Sequence, residues 1–410
     1  MAAALPKTAA KGADNKIAWK IALRPSCRQR RMLRRWMGAV RFTYNACVDL
    51  YSNYRLWDDK FHSKNGANLK TFRAKLVGND SPLVLENPWL KKTPWDVRSE
   101  AVRDFFKAYK AQMAKIKKKT LKHFTMGFKS RYDHQQCLYV HRKHWNKINA
   151  VRSKGGVPNN QYSSVWGTSS IPTSPGDRVL DLESDARLIL TRTGKFYLCT
   201  TNEFVENKEL PPECAASLDP GINTFQTIYD ANGKVVEFGV YPKTKIQQLC
   251  AKIDALQSQW SQPDVRHHRR YWLRRRAARV REKIENMRTD MHRKCAKYLC
   301  ETYRHIIIPI FKVQEMVCRS GPRQRRLNSR AARNMLSLGH FKFRQRLLSK
   351  ARQTRSKVWV VTEEYTSKTC GSCGERYNVT GKNYICPSCG AEFDRDFNGA
   401  RNIMIKHLSS

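Results

Sequence analysis

Two cysteine pairs near the end of the chain constrain its fold more tightly than any other feature. Cys370-x2-Cys373, twelve further residues, and Cys386-x2-Cys389 offer four thiolates on two knuckles, the tetrahedral all-sulfur set that a structural zinc prefers. A glycine follows each pair directly, Gly374 and Gly390, where a knuckle turn can need a positive φ. With every position filled by sulfur no site stays open for water, so a catalytic zinc is not expected. The metal would stabilise an insertion too small to have its own core. The other nine cysteines (27, 47, 137, 199, 214, 250, 295, 300 and 318) follow no pattern, which is the usage of a reducing compartment and not of a disulfide scaffold.

Charge narrows the partner. The 410 residues carry 78 Lys+Arg against 34 Asp+Glu, a net +44, and such an excess points to a polyanion. Forty per cent apolar residues suffice for real cores, so a disordered basic tail is excluded. The longest apolar run, IIIPIF, has six residues, far below the roughly 18–20 of a membrane span, and the start lacks a signal-peptide apolar region. No long segment pairs a Lys/Arg face with an exposed Trp/Phe/Leu face, so nucleic acid is a better partner than a membrane surface.

Hydrophobic spacing gives the organisation. KIAWKIALRP (16–25) reads as a strand stopping at Pro25, followed by a helix capped at Ser26 in which Met32, Leu33, Trp36, Val40, Tyr44, Cys47 and Val48 recur at helical spacing. A second helix opens at Thr93-Pro94, with Thr93 as cap and Pro94 as first helical residue, and ends lysine-rich. The stretch 152–178, rich in Gly, Pro, Ser and Asn, reads as a linker. Two strands then meet at Arg192–Lys195; ECAASLD, GINTFQTIYD and KVVEFGV make three more, the last two joined across Ala231-Asn232-Gly233. From 243 to 303 two helices form a hairpin, with Ile246, Leu249, Ile253 and Leu256 on one and Leu273, Ala277, Val280, Ile284, Met287 and Met291 on the other. Eight arginines between Arg266 and Arg281 make the second helix's outer face a basic ridge, whereas a solvated coiled coil would normally mix signs. A strand (HIIIPIF), one helix (NMLSLGHFKFRQRLLSKA), a strand (KVWVV), the cysteine pairs and a last helix complete the chain.

Acids are scarce, so those at strand ends are informative. Asp219 ends AASLD ahead of Pro220-Gly221. Asp394 and Asp396 follow the cysteine pairs, and Ala400, Ile403, Met404, His407 and Leu408 share one face of the helix that Asp396 begins. A strand-end and a helix-start aspartate brought together make a hard-oxygen site for a divalent cation. Taken alone, Asp396 reads equally well as a helix cap.

SLDPGINTFQTIYD, then YTSKTCGSCG, then YICPSCGAEFDRDFNGARNI, in that order, resemble the RuvC-type nuclease domain of the transposon-encoded TnpB proteins. RPSCRQRRMLRRWMGAVRFTYN, GFKSR and ENMRTDMHRKCAKYL resemble other parts of the same family, so the likeness covers nearly the whole chain. It implies an α/β fold: an RNase H-like (RuvC) core with an inserted zinc ribbon, preceded by a helical recognition domain and a β-barrel-like wedge. The implied segments are 1–25 (first wedge strand), 26–150 (recognition), 151–213 (linker and wedge strands), 214–362 (core with helical hairpin), 363–392 (ribbon, a target nucleic-acid-binding insert) and 393–410 (last core helix). It also implies RNA-guided DNA endonuclease activity with magnesium, Asp219 as the first catalytic acid and Asp396 as the last.

One departure matters. Where the bacterial proteins end the second catalytic strand in glutamate, this strand reads Ile306-Ile307-Ile308-Pro309. The eukaryotic relatives called Fanzor are similar here, with the glutamate relocated to a Glu-x-Tyr/Phe-Thr-Ser motif ahead of the first knuckle. That motif is Glu363-Glu364-Tyr365-Thr366-Ser367, which favours Glu363 and leaves Glu364 as the alternative. Otherwise Pro309 would mark a protein that binds nucleic acid without cutting it. A guide-independent DNA-binding protein of a transposon and a ribosomal or RNA-packaging protein are the rivals from other classes.

The resemblance therefore implies a Fanzor-type enzyme. Asp219, Glu363 and Asp396 would hold two magnesium ions, one activating water and one stabilising the leaving 3′ oxygen; Cys370, Cys373, Cys386 and Cys389 would hold one zinc; Glu364 and Asp394 are secondary candidates. Its partners would be a guide RNA and target double-stranded DNA, gripped by the basic helices 26–50, 94–123 and 266–300. A monomer in the nucleus, away from membranes, is expected.

Overall fold

The computed structural model describes residues 16–57, 68–141, 184–203, 211–240, 242–318, 328–378 and 381–409; the linker expected at 152–178 lies outside them. The chain divides into two compact units, Met1–Phe204 and Val205–Ser410.

In the first unit, β1 (Lys16–Leu23) leads into helix α1 (Cys27–Trp57), followed by α2 (Leu69–Leu76), α3 (Trp95–Lys117), β2 (Gln135–Val140), β3 (Ala186–Thr191) and β4 (Phe196–Glu203). The Ser26 cap is present: its backbone N–H donates to Gln29 Oε1 at 2.8 Å, and Gln29 N–H returns to Ser26 Oγ at 3.3 Å, a reciprocal capping box. Helix α3 starts one residue later than expected, because Pro94, at ψ 144°, is still extended. The strands form one antiparallel sheet in the order β1-β4-β3-β2. Ile21, Leu198, Leu188 and Leu138 align across all four and are buried with Leu33, Trp36, Met37 and Val40 of α1 and Val97 and Ala101 of α3. Side-chain alternation places these leucines on one face. The arginines of α1 (Arg28, Arg30, Arg31, Arg34, Arg35) stay exposed.

In the second unit, β5 (Ala215–Asp219), β6 (Gln226–Asp230) and β7 (Val235–Phe238) are antiparallel; the helical hairpin α4 (Pro242–Ser261) and α5 (His267–Thr302) follows. Then come β8 (His305–Pro309), α6 (Ser329–Leu338), α7 (His340–Thr354) and β9 (Lys357–Val361), and finally the short ribbon strands β10 (Asn383–Ile385) and β11 (Glu392–Asp394) and helix α8 (Arg395–Leu408). The five-stranded sheet runs β7-β6-β5-β8-β9, with β8 parallel to β5 and β9 parallel to β8. Three antiparallel strands continued by two parallel ones is the RNase H-like order. One face, with Ala216, Leu218, Ile228, Ile306 and Ile308, packs on Cys295, Leu299, Phe343 and Leu347 of α5 and α7. The other packs on α8, through Ile307 against Ile403 and Met404.

The single helix expected over NMLSLGHFKFRQRLLSKA is two. Gly339 sits between α6 and α7 at φ 64°, the left-handed conformation that glycine adopts without a Cβ penalty. The HIIIPIF strand ends at Pro309; Phe311 is at positive φ. The β2 strand, in a span read as a helical domain, has its apolar residues in one run, Cys137 to Val140, and so shows no period of two.

Candidate metal centre and zinc ribbon

The α8 side of the sheet carries the carboxylates. Asp219 ends β5, and its cross-strand partner is Thr227, whose own partner on β7 is Glu237; the three share a face. The Asp219 carboxylate lies against α8. A Cβ on Gly399 would come within 2.6 Å of Asp219 Oδ2, so only glycine admits the carboxylate there. Asp396 is one turn earlier on the same helix face. Cross-strand register then explains the third acid. Ser217 pairs with Ile307, and continuing that register sets Pro309 level with Asp219; Pro309 in turn pairs with Val361. Glu363 lies two residues past Val361, on the parity that faces α8.

Electrostatics shows which acids meet. Burial, then the charges of Asp396 and Glu363, push the Asp219 carboxyl up to about 7, against the opposing pull of Arg395. Burial also raises Glu363, and burial chiefly raises Asp396, with Arg395 opposing and Asp394 and Glu237 adding. Asp396 and Glu363 thus both lie close enough to Asp219 to raise it, and Arg395, 4.0 Å from Asp396 Oδ1, opposes them. Glu364 is exposed, and its backbone carbonyl accepts a bond from Lys406 at 3.2 Å. Asp394 is committed elsewhere: it is the N-cap of α8, accepting from the N–H groups of Asp396 and Phe397 at 2.9 and 3.3 Å. Its second oxygen meets Lys382 Nζ at 3.3 Å. The cap belongs to Asp394, which leaves the Asp396 carboxylate to face Asp219.

These residues fit a divalent cation. The donors are hard oxygens, as magnesium requires, and Thr227 Oγ1, between Asp219 and Glu237 on the sheet, is buried without a hydrogen-bond partner. His292 and His340 stack on the two faces of Phe225 at 5.0 and 5.1 Å, in the core formed with α5 and α7. Burial pushes them down to about 3 and about 4.

The four ribbon cysteines converge, with all four sulfurs within 4.8 Å of one another. Cys370 Sγ is 3.8 Å from Cys389 Sγ, and Cys373 Sγ is 3.6 Å from Cys386 Sγ. Four sulfurs each about 2.3 Å from a central zinc would be about 3.8 Å apart, so the cluster has the dimensions of a metal tetrahedron. Gly374 and Gly390 take positive φ, 82° and 68°, as the knuckles require.

Three features escape sequence reasoning. Gly399 is one, and Glu237 another. The third is a pair of buried asparagines on α8 that fastens the ribbon to the helix carrying Asp396. Asn398 Oδ1 accepts from Gly371 N–H at 2.9 Å while its Nδ2 donates to Thr369 O at 2.8 Å. Asn402 Nδ2 donates to Thr366 O and Thr369 O at 2.9 and 2.6 Å. The Asn-x3-Asn spacing, which puts both on one helix face, is the signal that could have found them.

Comparison with known proteins agrees with this architecture. Three family profiles match in chain order: "Helix-turn-helix domain" of the OrfB/IS605 group at 15–55, "Probable transposase" of the same group at 197–319, and "Cas12f1-like, TNB domain" at 340–403. A "Putative transposase" of Paramecium bursaria Chlorella virus 1 is 26% identical over 95% of this chain and 87% of its own length. "TnpB-like protein L770" of Acanthamoeba polyphaga mimivirus is 24% identical over 94% and 72%. "Putative RNA-guided DNA endonuclease InsQ" of Escherichia coli K12 is 24% identical over 94% and 91%. Among solved structures, "the mini-RNA-guided endonuclease CRISPR-Cas_phi3" aligns over 96% of this chain and 92% of its own, with 11% identity and a TM-score of 0.46. The three profiles follow one another along this chain, and over nearly its whole length the chain is similar to TnpB-like proteins and transposases.

Proposed function

We propose that this chain is an RNA-guided, magnesium-dependent DNA endonuclease of the Fanzor type. The observation that carries the reading is that Asp396 and Glu363 both lie close enough to the buried Asp219 carboxylate to raise it. These three would hold two magnesium ions, which when bound supply Lewis-acid chemistry for phosphodiester hydrolysis. Asp219 is fixed by its seat on Gly399, and Asp396 by the Asp394 cap and the asparagine clamp on the ribbon. Glu363 supplies the acid that Pro309 cannot. The ribbon cysteines would hold one structural zinc, which keeps the clamp in place.

Guide RNA and target DNA are proposed as partners on the strength of the bacterial relative's name and of the arginine faces of α1 and α5. Arg266, which precedes α5, and Arg269, Arg274, Arg276, Arg279 and Arg281 on it are exposed. The 266–281 stretch contains no acid, a surface suited to phosphate backbones. The segment roles inferred from sequence, from wedge and recognition domain to ribbon, belong to the same proposal, as do a monomeric state and a nuclear location.

The test is to express the protein with its native flanking DNA, sequence the RNA that co-purifies, and incubate the complex with matching DNA. One discrete RNA and cleavage that needs magnesium are expected. No bound RNA, or cleavage unaffected by Asp219→Ala, would refute the reading.

A further inference from the structure

Two residues past Glu363 stands Tyr365, whose backbone and side chain tell different stories. Its φ is +65°, a conformation that costs a bulky residue energy and that glycine adopts freely. The turn needs that backbone: Tyr365 O accepts from Lys368 N–H, Thr369 N–H and Thr369 Oγ1 at 3.0, 3.1 and 3.0 Å. The same turn fixes the acid, because Glu363 O accepts from Thr366 Oγ1 at 3.0 Å. The ring, by contrast, contributes little to the fold, being 57% exposed. The ring meets Arg376, whose guanidinium lies 4.9 Å from the ring centroid and which the Thr369–Arg376 bridge places beside the turn. A strained, solvent-facing aromatic backed by a guanidinium and held at a fixed step from a carboxylate suits a flat ligand with negative charge next to it. A nucleotide has both parts, and an aromatic ring stacks on any base.

We propose that Tyr365 positions the substrate by stacking on the base of a nucleotide next to the phosphodiester that Asp219, Glu363 and Asp396 address, with Arg376 backing the ring. This rests on the nuclease reading above. The base must be unstacked from its neighbour on that side, because a continuous duplex covers its base faces, so the ligand is single-stranded DNA.

The test uses the RNA-loaded protein and three forms, wild type, Tyr365→Gly and Tyr365→Phe. A single-stranded DNA oligonucleotide carrying 2-aminopurine reports stacking by quenching, independently of cutting. Wild type and Tyr365→Phe should quench; Tyr365→Gly should not. Single-turnover cleavage by Tyr365→Gly should slow by about five- to a hundredfold, the range of one base stacked on an aromatic ring, with target affinity retained. Its Tm should hold or rise, since glycine relieves the left-handed strain. Equal quenching by wild type and Tyr365→Gly overturns the proposal, and so does a fall in Tm, which would make the ring a structural element. Quenching by a wild-type protein that never cuts DNA refutes the nuclease reading and still supports the stacking site.

Discussion

At the residue scale the centre is defined by what Asp219 lacks. Its carboxyl is buried beside two other acids and is held up to about 7, so between pH 4 and 7 the folded chain keeps a proton that the unfolded chain has lost. Stability of the metal-free protein therefore falls as pH rises through that window. A cation reverses the sign, because it binds the ionised site and expels the proton. The rise in Tm on adding magnesium should accordingly be larger at pH 8 than at pH 5, as thermal melts at both pH values with and without the ion will show; equal shifts would mean that Asp219 does not bind it. Gly399→Ala tests the seat of Asp219. Alanine favours a helix by about 1 kcal/mol over glycine, yet the new Cβ would sit 2.6 Å from Asp219 Oδ2. Overpacking costs about 1–3 kcal/mol, so a net loss of stability and a marked loss of cleavage are expected. Asp219 and Asp396 are legible in the sequence because a carboxylate at a strand end or helix start announces itself. Gly399 is not, because its role depends on a contact 180 positions away.

At the element scale the ribbon and helix α8 behave as one part. Asn402 bonds two carbonyls just ahead of the first knuckle, and Asn402→Ala would leave Thr366 O without this donor while Thr369 O keeps Asn398, at about 1–3 kcal/mol for a buried polar group. Removing the ribbon metal with a chelator should have the same consequence by another route. Magnesium-induced stabilisation should be lost together with the zinc, measurable by melts before and after chelation. If the magnesium effect survives chelation, the clamp does not hold Asp396. The elements themselves were readable wherever a period persisted: the three antiparallel strands, the helical hairpin and KVWVV all form, although the strand expected over GINTFQTIYD begins only at Gln226. The α6–α7 break was missed because the apolar spacing runs on across Gly339, and only the backbone shows its φ of 64°. Gly339→Ala should cost about 1 kcal/mol for the same reason. β2 was missed because its pairing with β3 crosses a long sequence separation that no local pattern encodes.

At the scale of the whole molecule, the fold places part of the net +44. The exposed arginines of α1 and α5 lie on faces opposite their apolar stripes, while the three acids gather where the sheet meets α8. Replacing Arg274, Arg276 and Arg279 together with glutamine should leave Tm nearly unchanged. It should flatten the dependence of nucleic-acid binding on salt, each lost phosphate contact removing about 0.7–0.9 from the logarithmic slope. An unaltered slope would show that the ridge is merely solvated. The central claim, however, is that Glu363 has taken over from the position now held by Pro309. The sequence motif favours Glu363 over Glu364, and strand parity and burial support that choice, with Glu363 near Asp219 and Glu364 exposed. The most direct test compares cleavage of matching DNA in magnesium by the wild type, Glu363→Gln and Glu364→Gln. Loss of a metal-holding carboxylate removes several kcal/mol of transition-state stabilisation, at least about a hundredfold in rate. That loss is expected for Glu363→Gln, with Glu364→Gln near wild type, and the reverse pattern, or full activity in both, would contradict it.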